Sequence, residues 1–171
     1  MNRTSAGFVA ALVSIAQPVF AMQPVTVEVG VSCEKPTTLR VSVKNSSPAR
    51  IQFDQFLLPW NHSKVLRAEA FQVVSGKSKR LPGIAPIADY LGKVSLAPKQ
   101  VVKGEILLNR SFAGFDDANK SGDILIFYRV NDNKLSSDVK FNGNAGVILI
   151  PKKGMFSQGC PALVRPSHDA E

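Results

Sequence analysis

Histidine occurs twice in the 171 residues, cysteine twice and tryptophan once. A catalytic zinc site takes three protein ligands, usually from His, Cys, Asp and Glu at helical or hairpin spacing, and His62 and His168 stand far apart. Two cysteines exclude a dense disulfide scaffold. There is no Gly-x-Ser-x-Gly elbow for a nucleophilic serine and no phosphate-cradling glycine loop. The 12 Gly and 11 Pro follow no three-residue period, which excludes collagen. Past the first 21 residues no apolar run approaches the ~20 residues that a membrane-spanning helix needs. Acidic residues are scarce as well, 13 against 21 basic ones, for a formal net charge of +8. What is present, 44% hydrophobic and 20% charged residues, suits one globular domain with a single core and excludes a disordered chain.

Residues Met1 to Ala21 combine Arg3, an apolar stretch from Gly7 to Ala16, Pro18 and a small-residue ending at Ala21. This pattern predicts a secretory signal peptide over 1–21, cleaved after Ala21; the apolar stretch is about half the length of a membrane span. The predicted organisation is a signal peptide (1–21), a β-sandwich domain (22–165) and a flexible tail (166–171), in a periplasmic or secreted protein. Removing the leader removes one basic and no acidic residue, so the positive excess belongs to the mature domain. In an oxidising compartment Cys33 and Cys160 are expected to pair, with two buried free thiols as the alternative. Closing a loop of roughly 130 residues stabilises a fold by about 4–5 kcal/mol on a chain-entropy model.

From Val25 the chain alternates, Val25, Val27, Val29 and Val31 on one face and Thr26, Glu28 and Gly30 on the other, as a half-buried strand does. Further strands are expected at Leu39 to Asn45, Arg50 to Leu58, Glu69 to Val74, Val101 to Leu108, Ile124 to Val130 and Gly146 to Ile150. Asn131-Asp132-Asn133 reads as a hairpin turn leading into Leu135 to Phe141, and Gly143-Asn144-Ala145-Gly146 as a hairpin loop. Ser75 to Lys93, rich in Pro, Gly and basic residues, reads as a surface loop or an irregular edge. No segment keeps a helical apolar period for three turns; a short helical turn fits after Ser63. Short strands with frequent turn signals predict an all-β sandwich or barrel.

Four stretches carry a family resemblance: Leu57-Leu58-Pro59-Trp60-Asn61, Pro86-Ile87-Ala88-Asp89-Tyr90, Leu96-Ala97-Pro98, and Ser121 to Tyr128. In order and spacing, Phe53 to Val130 resembles the immunoglobulin-like, non-catalytic N-terminal domain of deuterolysin-type peptidyl-Lys metalloendopeptidases. That family cleaves through a downstream His-Glu-x-x-His domain, and this chain contains no such motif. The resemblance therefore implies an immunoglobulin-like antiparallel β-sandwich of about seven to nine short strands, without enzymatic activity or cofactor, and transfers no catalytic residue.

Each candidate group has a plainer alternative. Lys77, Lys79 and Arg80, near Lys64 and Arg67 and with Lys152-Lys153 further on, form a basic cluster that would attract an anionic envelope polymer or an acidic partner; the alternative is a solvated face. Nucleic acid is disfavoured by export and by the lack of an aromatic-interleaved motif. Trp60 is either core or, beside Tyr90, a recognition patch. Asp116-Asp117 reads as turn chemistry, with calcium binding or catalysis as the rival. His62 reads as a surface residue and His168 as part of a frayed tail. Tyr128 is expected to point inward or to bond backbone as a corner residue. Asn45, Asn61, Asn109 and Asn119 begin Asn-x-Ser sequons, glycan acceptors only in a eukaryotic secretory pathway. These readings favour a binding or accessory protein with a secreted or envelope protein as partner; by family analogy that partner is a secreted protease or its substrate. Binding of an anionic polymer is the second reading and a cryptic hydrolase the third.

Overall fold

The structure is a computed structural model that describes residues 23–31, 33–61, 65–85, 92–131, 139–155 and 161–164. Eleven strands lie among them: β1 (Gln23–Val31), β2 (Thr38–Asn45), β3 (Ile51–Asp54), β4 (Leu66–Val74), β5 (Lys77–Leu81), β6 (Lys93–Leu96), β7 (Val101–Leu107), β8 (Asp123–Val130), β9 (Val139–Gly143), β10 (Ala145–Ile150) and β11 (Ala162–Val164). Two short helices, α1 (Leu108–Ser111) and α2 (Phe115–Ser121), sit between β7 and β8. The signal peptide, its cleavage site, His62, Tyr90, Cys160 and the 166–171 tail lie outside the described residues.

The strands form a four-stranded sheet, β7-β2-β1-β9, a five-stranded sheet, β11-β10-β8-β4-β5, and a two-stranded ladder, β3-β6. With β1, β2 and β7 in the A, B and E positions and β4, β5, β8 and β10 in C, C′, F and G, this is the immunoglobulin-like sandwich expected from the sequence. Its core is the alternate residues of both sheets: Val25, Val27, Val29, Leu39, Val41 and Val43 from one, Ala70, Ile124, Ile126, Ile148 and Ile150 from the other, all buried. Full burial of each such Val, Leu or Ile is worth about 1.5–3 kcal/mol. Phe53 of β3 and Phe141 of β9 meet edge to face at 5.5 Å, tying the small ladder to the core.

The sandwich is not wholly antiparallel. β9 runs parallel to β1, with Val25 opposite Phe141, while β10, one residue further on, runs antiparallel to β8, with Ile148 opposite Ile126. Gly143-Asn144-Ala145-Gly146 is therefore no hairpin loop. Asn144 is the point at which a nearly continuous strand leaves one sheet for the other. The expected hairpin between Ile124 to Val130 and Leu135 to Phe141 fails for the same reason, since the described part of the second segment pairs with β1. Residues 132–138 lie outside the described set.

The strand count exceeds seven to nine because β5, β6 and β11 join the strands expected from the sequence. Ser75 to Lys93 is not one loop: Lys77–Leu81 pairs with β4 across a two-residue turn in which Ser75 (φ 48°) and Gly76 (φ 76°) are both left-handed. That backbone matches a strand twist and suits glycine. The next residues are also tied down, Ile84 N–H donating to Ser111 O at 2.8 Å and Ala113 N–H to Pro82 O at 2.8 Å. Arg50 to Leu58 is a strand only to Asp54, after which Gln55–Leu57 forms a 3₁₀ turn. Leu66 onward is strand and not helix. Asp116-Asp117 belongs to α2 and not to a turn, because Phe115, Ala118 and Asn119 bury one side of that segment against the sandwich.

Candidate functional site

The outer face of the five-stranded sheet departs from what its solvated position calls for. In β8, Ile124, Ile126 and Tyr128 face the core, leaving Leu125, Phe127 and Arg129 outside. Register aligns the outward residues of neighbouring strands into rows. Arg67, Arg129 and Ala145 form the first, Glu69, Phe127 and Val147 the second, and Arg80, Phe71, Leu125 and Leu149 the third. An antiparallel sheet with one face in water is normally polar there. Here the middle of the face is apolar: Phe127 is 46% exposed and Leu149 36%, and Phe71, Leu125 and Val147 are half-buried around them. Phe71 and Phe127 meet edge to face, 5.6 Å between ring centres and 88° between planes. An open depression of about 580 Å³ lies over Phe127 and Val147, bordered by Arg67, Glu69, Arg129 and Ala145.

Charge on this face is unevenly matched. Arg80 Nη2 lies 2.9 Å from Glu69 Oε1, a pair across the β4–β5 hairpin. Arg67 and Arg129 stand directly opposite one another, both exposed, and neither has an ion pair or hydrogen bond among the described residues. Like charges placed so are destabilising to a sheet.

The predicted basic cluster does not stay together. Lys77, Lys79 and Arg80 are all exposed on the edge strand β5, but alternation sends Arg80 to the outer face, opposite Phe71, and the two lysines to the other, opposite Val74 and Gln72. Trp60 is half-buried, its indole lying over Gly104 of β7 so closely that a Cβ there would overlap the ring. With Leu39, Leu66, Ile106, Leu108 and Phe112 it lines an apolar depression of about 360 Å³. Tyr90, its suggested companion, lies outside the described residues. Tyr128 points inward and is 5% exposed; Phe112 and Phe115 are core residues.

Asp117 is engaged by Lys120 Nζ at 2.8 Å. The hydrogen bond and charge of Lys120 hold the Asp117 carboxyl below its ordinary value, and the same contact raises Lys120. Asp116 Oδ2 accepts from Asn109 Nδ2 at 3.5 Å. Among the described residues no three His, Cys, Asp or Glu side chains are grouped to hold a metal ion, no cysteine is free, and no helix is long and apolar enough to cross a membrane.

Three of the four sequons are structural. Asn45 is fully buried, its Nδ2 donating to Leu96 O and Ala49 O and its Oδ1 accepting from Ser47 N–H. Asn61 donates to Gln55 O and Asn119 to Pro151 O, both from buried side chains. Asn109 is the exposed one.

The outward residues were missed in the sequence although a signal exists. Ile124 to Tyr128 and Gly146 to Ile150 are apolar at consecutive positions, the mark of a strand with both faces covered. The opposition of Arg67 and Arg129 has no such signal, because it depends on register. Comparison with known proteins adds no guide: no family model, no curated protein and no solved structure matches the chain.

Proposed function

We propose that the chain is an exported, non-catalytic β-sandwich that binds another protein through the outer face of its five-stranded sheet. The observation that carries this reading is the contiguous apolar surface of Phe127, Leu149, Leu125, Val147 and Phe71, rimmed by charged residues. A surface of that kind on a soluble domain marks an interaction site. Its centre is aromatic with arginines at the margin, the composition enriched at protein interfaces. Export follows from the leader pattern of residues 1–21, and the same compartment favours a Cys33–Cys160 disulfide. The β1 and β11 strands that flank those cysteines in sequence touch one another. By the resemblance to a protease's non-catalytic domain, a secreted protease or its substrate is the first partner to try.

The test compares wild type with Phe127→Asp/Leu149→Asp as baits in the envelope and secreted fractions. The expected result is a protein retained by wild type and lost with the variant, at unchanged circular dichroism. Retention of the same proteins by both baits refutes the assignment, and capture of a polyanion by both would move the function to Lys77 and Lys79.

A further inference from the structure

We infer that the ligand of this face presents a carboxylate, held by Arg67 and Arg129 together, beside an apolar side chain seated on Phe127 and Val147. The occupant is thus an acidic segment of a partner protein, with an Asp, a Glu or a C-terminal carboxylate next to an aliphatic or aromatic residue. The inference rests on the protein-binding reading above and adds the chemistry of what is bound.

Charge complementarity selects this occupant. Arg67 and Arg129 are directly opposed on adjacent strands, which puts their Cβ atoms about 5 Å apart. The acidic residue nearest along the strand, Glu69, is already engaged by Arg80 at 2.9 Å. Both arginines border the same depression and neither is paired among the described residues, and each carries a planar fork that matches a carboxylate in bidentate fashion. The next row begins the apolar floor, Phe127 opposite Val147. A ligand reading both rows must therefore carry its negative charge within one side-chain spacing of its apolar contact. A second copy of this chain meets the face poorly, because it would bring another Arg67 and Arg129 pair on another strongly basic domain, the full chain having a formal net charge of +8.

The experiment pans a phage-displayed library of random peptides on the folded protein and measures the selected synthetic peptides by calorimetry. Peptides with an acidic residue adjacent to an apolar one are expected, with affinity that falls as salt rises. Arg67→Ala and Arg129→Ala should each weaken binding about tenfold or more, the scale of a hydrogen bond to a charged group. The Arg67→Lys/Arg129→Lys double variant, which keeps charge and loses the fork, should fall between wild type and the alanine variants. A readout independent of any peptide is stability: Arg129→Glu replaces a like-charge pair by an opposite-charge pair and should raise Tm by roughly 1–4 °C while abolishing binding.

Peptides that depend on Phe127 but not on either arginine would overturn the carboxylate assignment and leave the protein-binding face standing. Peptides indifferent to Phe127 and to both arginines would overturn both. Absence of acidic peptides from the selected set, or concentration-dependent dimerisation abolished by Phe127→Asp, would also overturn the inference. An unchanged or lower Tm for Arg129→Glu would overturn the inference as well, because Arg67 and Arg129 would then not stand as an uncompensated like-charge pair.

Discussion

Replacing Asn45 by Ala tests how much of this sandwich hangs on one buried polar side chain. Asn45 ends β2 with its side chain fully buried. Its Nδ2 faces three carbonyl oxygens, Ala49 at 2.8 Å, Leu96 at 3.0 Å and Ala97 at 3.1 Å, and its Oδ1 accepts from Ser47 N–H at 2.9 Å and Ser47 Oγ at 2.8 Å. Its backbone bonds to Gln100 O and receives Lys99 N–H. One residue thus joins the turn after β2 to the turn before β7. The amide has two hydrogens for three carbonyls, and the Ser47 hydroxyl can turn instead to Ala49 O. About three hydrogen bonds are lost, near 1 kcal/mol each, and further cost arises where a buried partner stays unpaired. The expected destabilisation is about 3–4 kcal/mol, a large part of the 5–15 kcal/mol typical of a domain. Asn45→Asp should be no better, since it replaces the donors with a buried negative charge facing carbonyl oxygens. Urea unfolding followed by circular dichroism measures both. A loss below about 1 kcal/mol for Asn45→Ala would refute the reasoning, because the bonds would then be replaced by water or by rearranged backbone.

Gly104→Ala should cost about 1–3 kcal/mol by driving Trp60 off β7, and the emission of this single tryptophan should shift to the red as it becomes wet; unchanged emission and stability would contradict the packing. The secreted protein should begin at Met22 and, unreduced, weigh two hydrogens less than the thiol form; a retained leader or two titratable thiols would contradict export or pairing. Carbon-13 titration should place Asp117 below its ordinary value of 3.8, and Lys120→Ala should return it there. The Asp117 carboxyl is depressed, so the contribution of its contact is complete above the unfolded value and is lost as the pH falls through the folded one. Expressed in a eukaryotic secretory host, the chain should carry glycan at Asn109 and none at Asn45 or Asn119, as peptide mapping would show.

The strands that bury one face were legible from their period. Val25 to Val31 and Leu39 to Asn45 alternate cleanly, because one side of each meets the core and the other meets water. Lys77–Leu81 was legible only as a surface loop or an irregular edge, because an edge strand needs no apolar alternation, and its Lys-Ser-Lys-Arg side chains protect an open edge. Only the Ser75-Gly76 turn announced it. Asn144 was misread because turn residues also serve a strand that changes sheets, and nothing local tells the two uses apart. For the site, the apolar half was written into Ile124 to Tyr128 as a run too hydrophobic for a one-sided strand. The charged half was not, since Arg67 and Arg129 lie far apart in sequence and meet only through the β4–β8 register.

The central claim is that a protein partner covers the outer face of β4, β8 and β10. Amide chemical-shift mapping of the labelled domain, titrated with the partner that wild type retains and Phe127→Asp/Leu149→Asp does not, tests it most directly. The predicted shifts cluster at Arg67, Phe127, Arg129, Val147 and Leu149. Shifts confined to the opposite sheet, around Glu28, Arg40 and Lys103, would contradict the account.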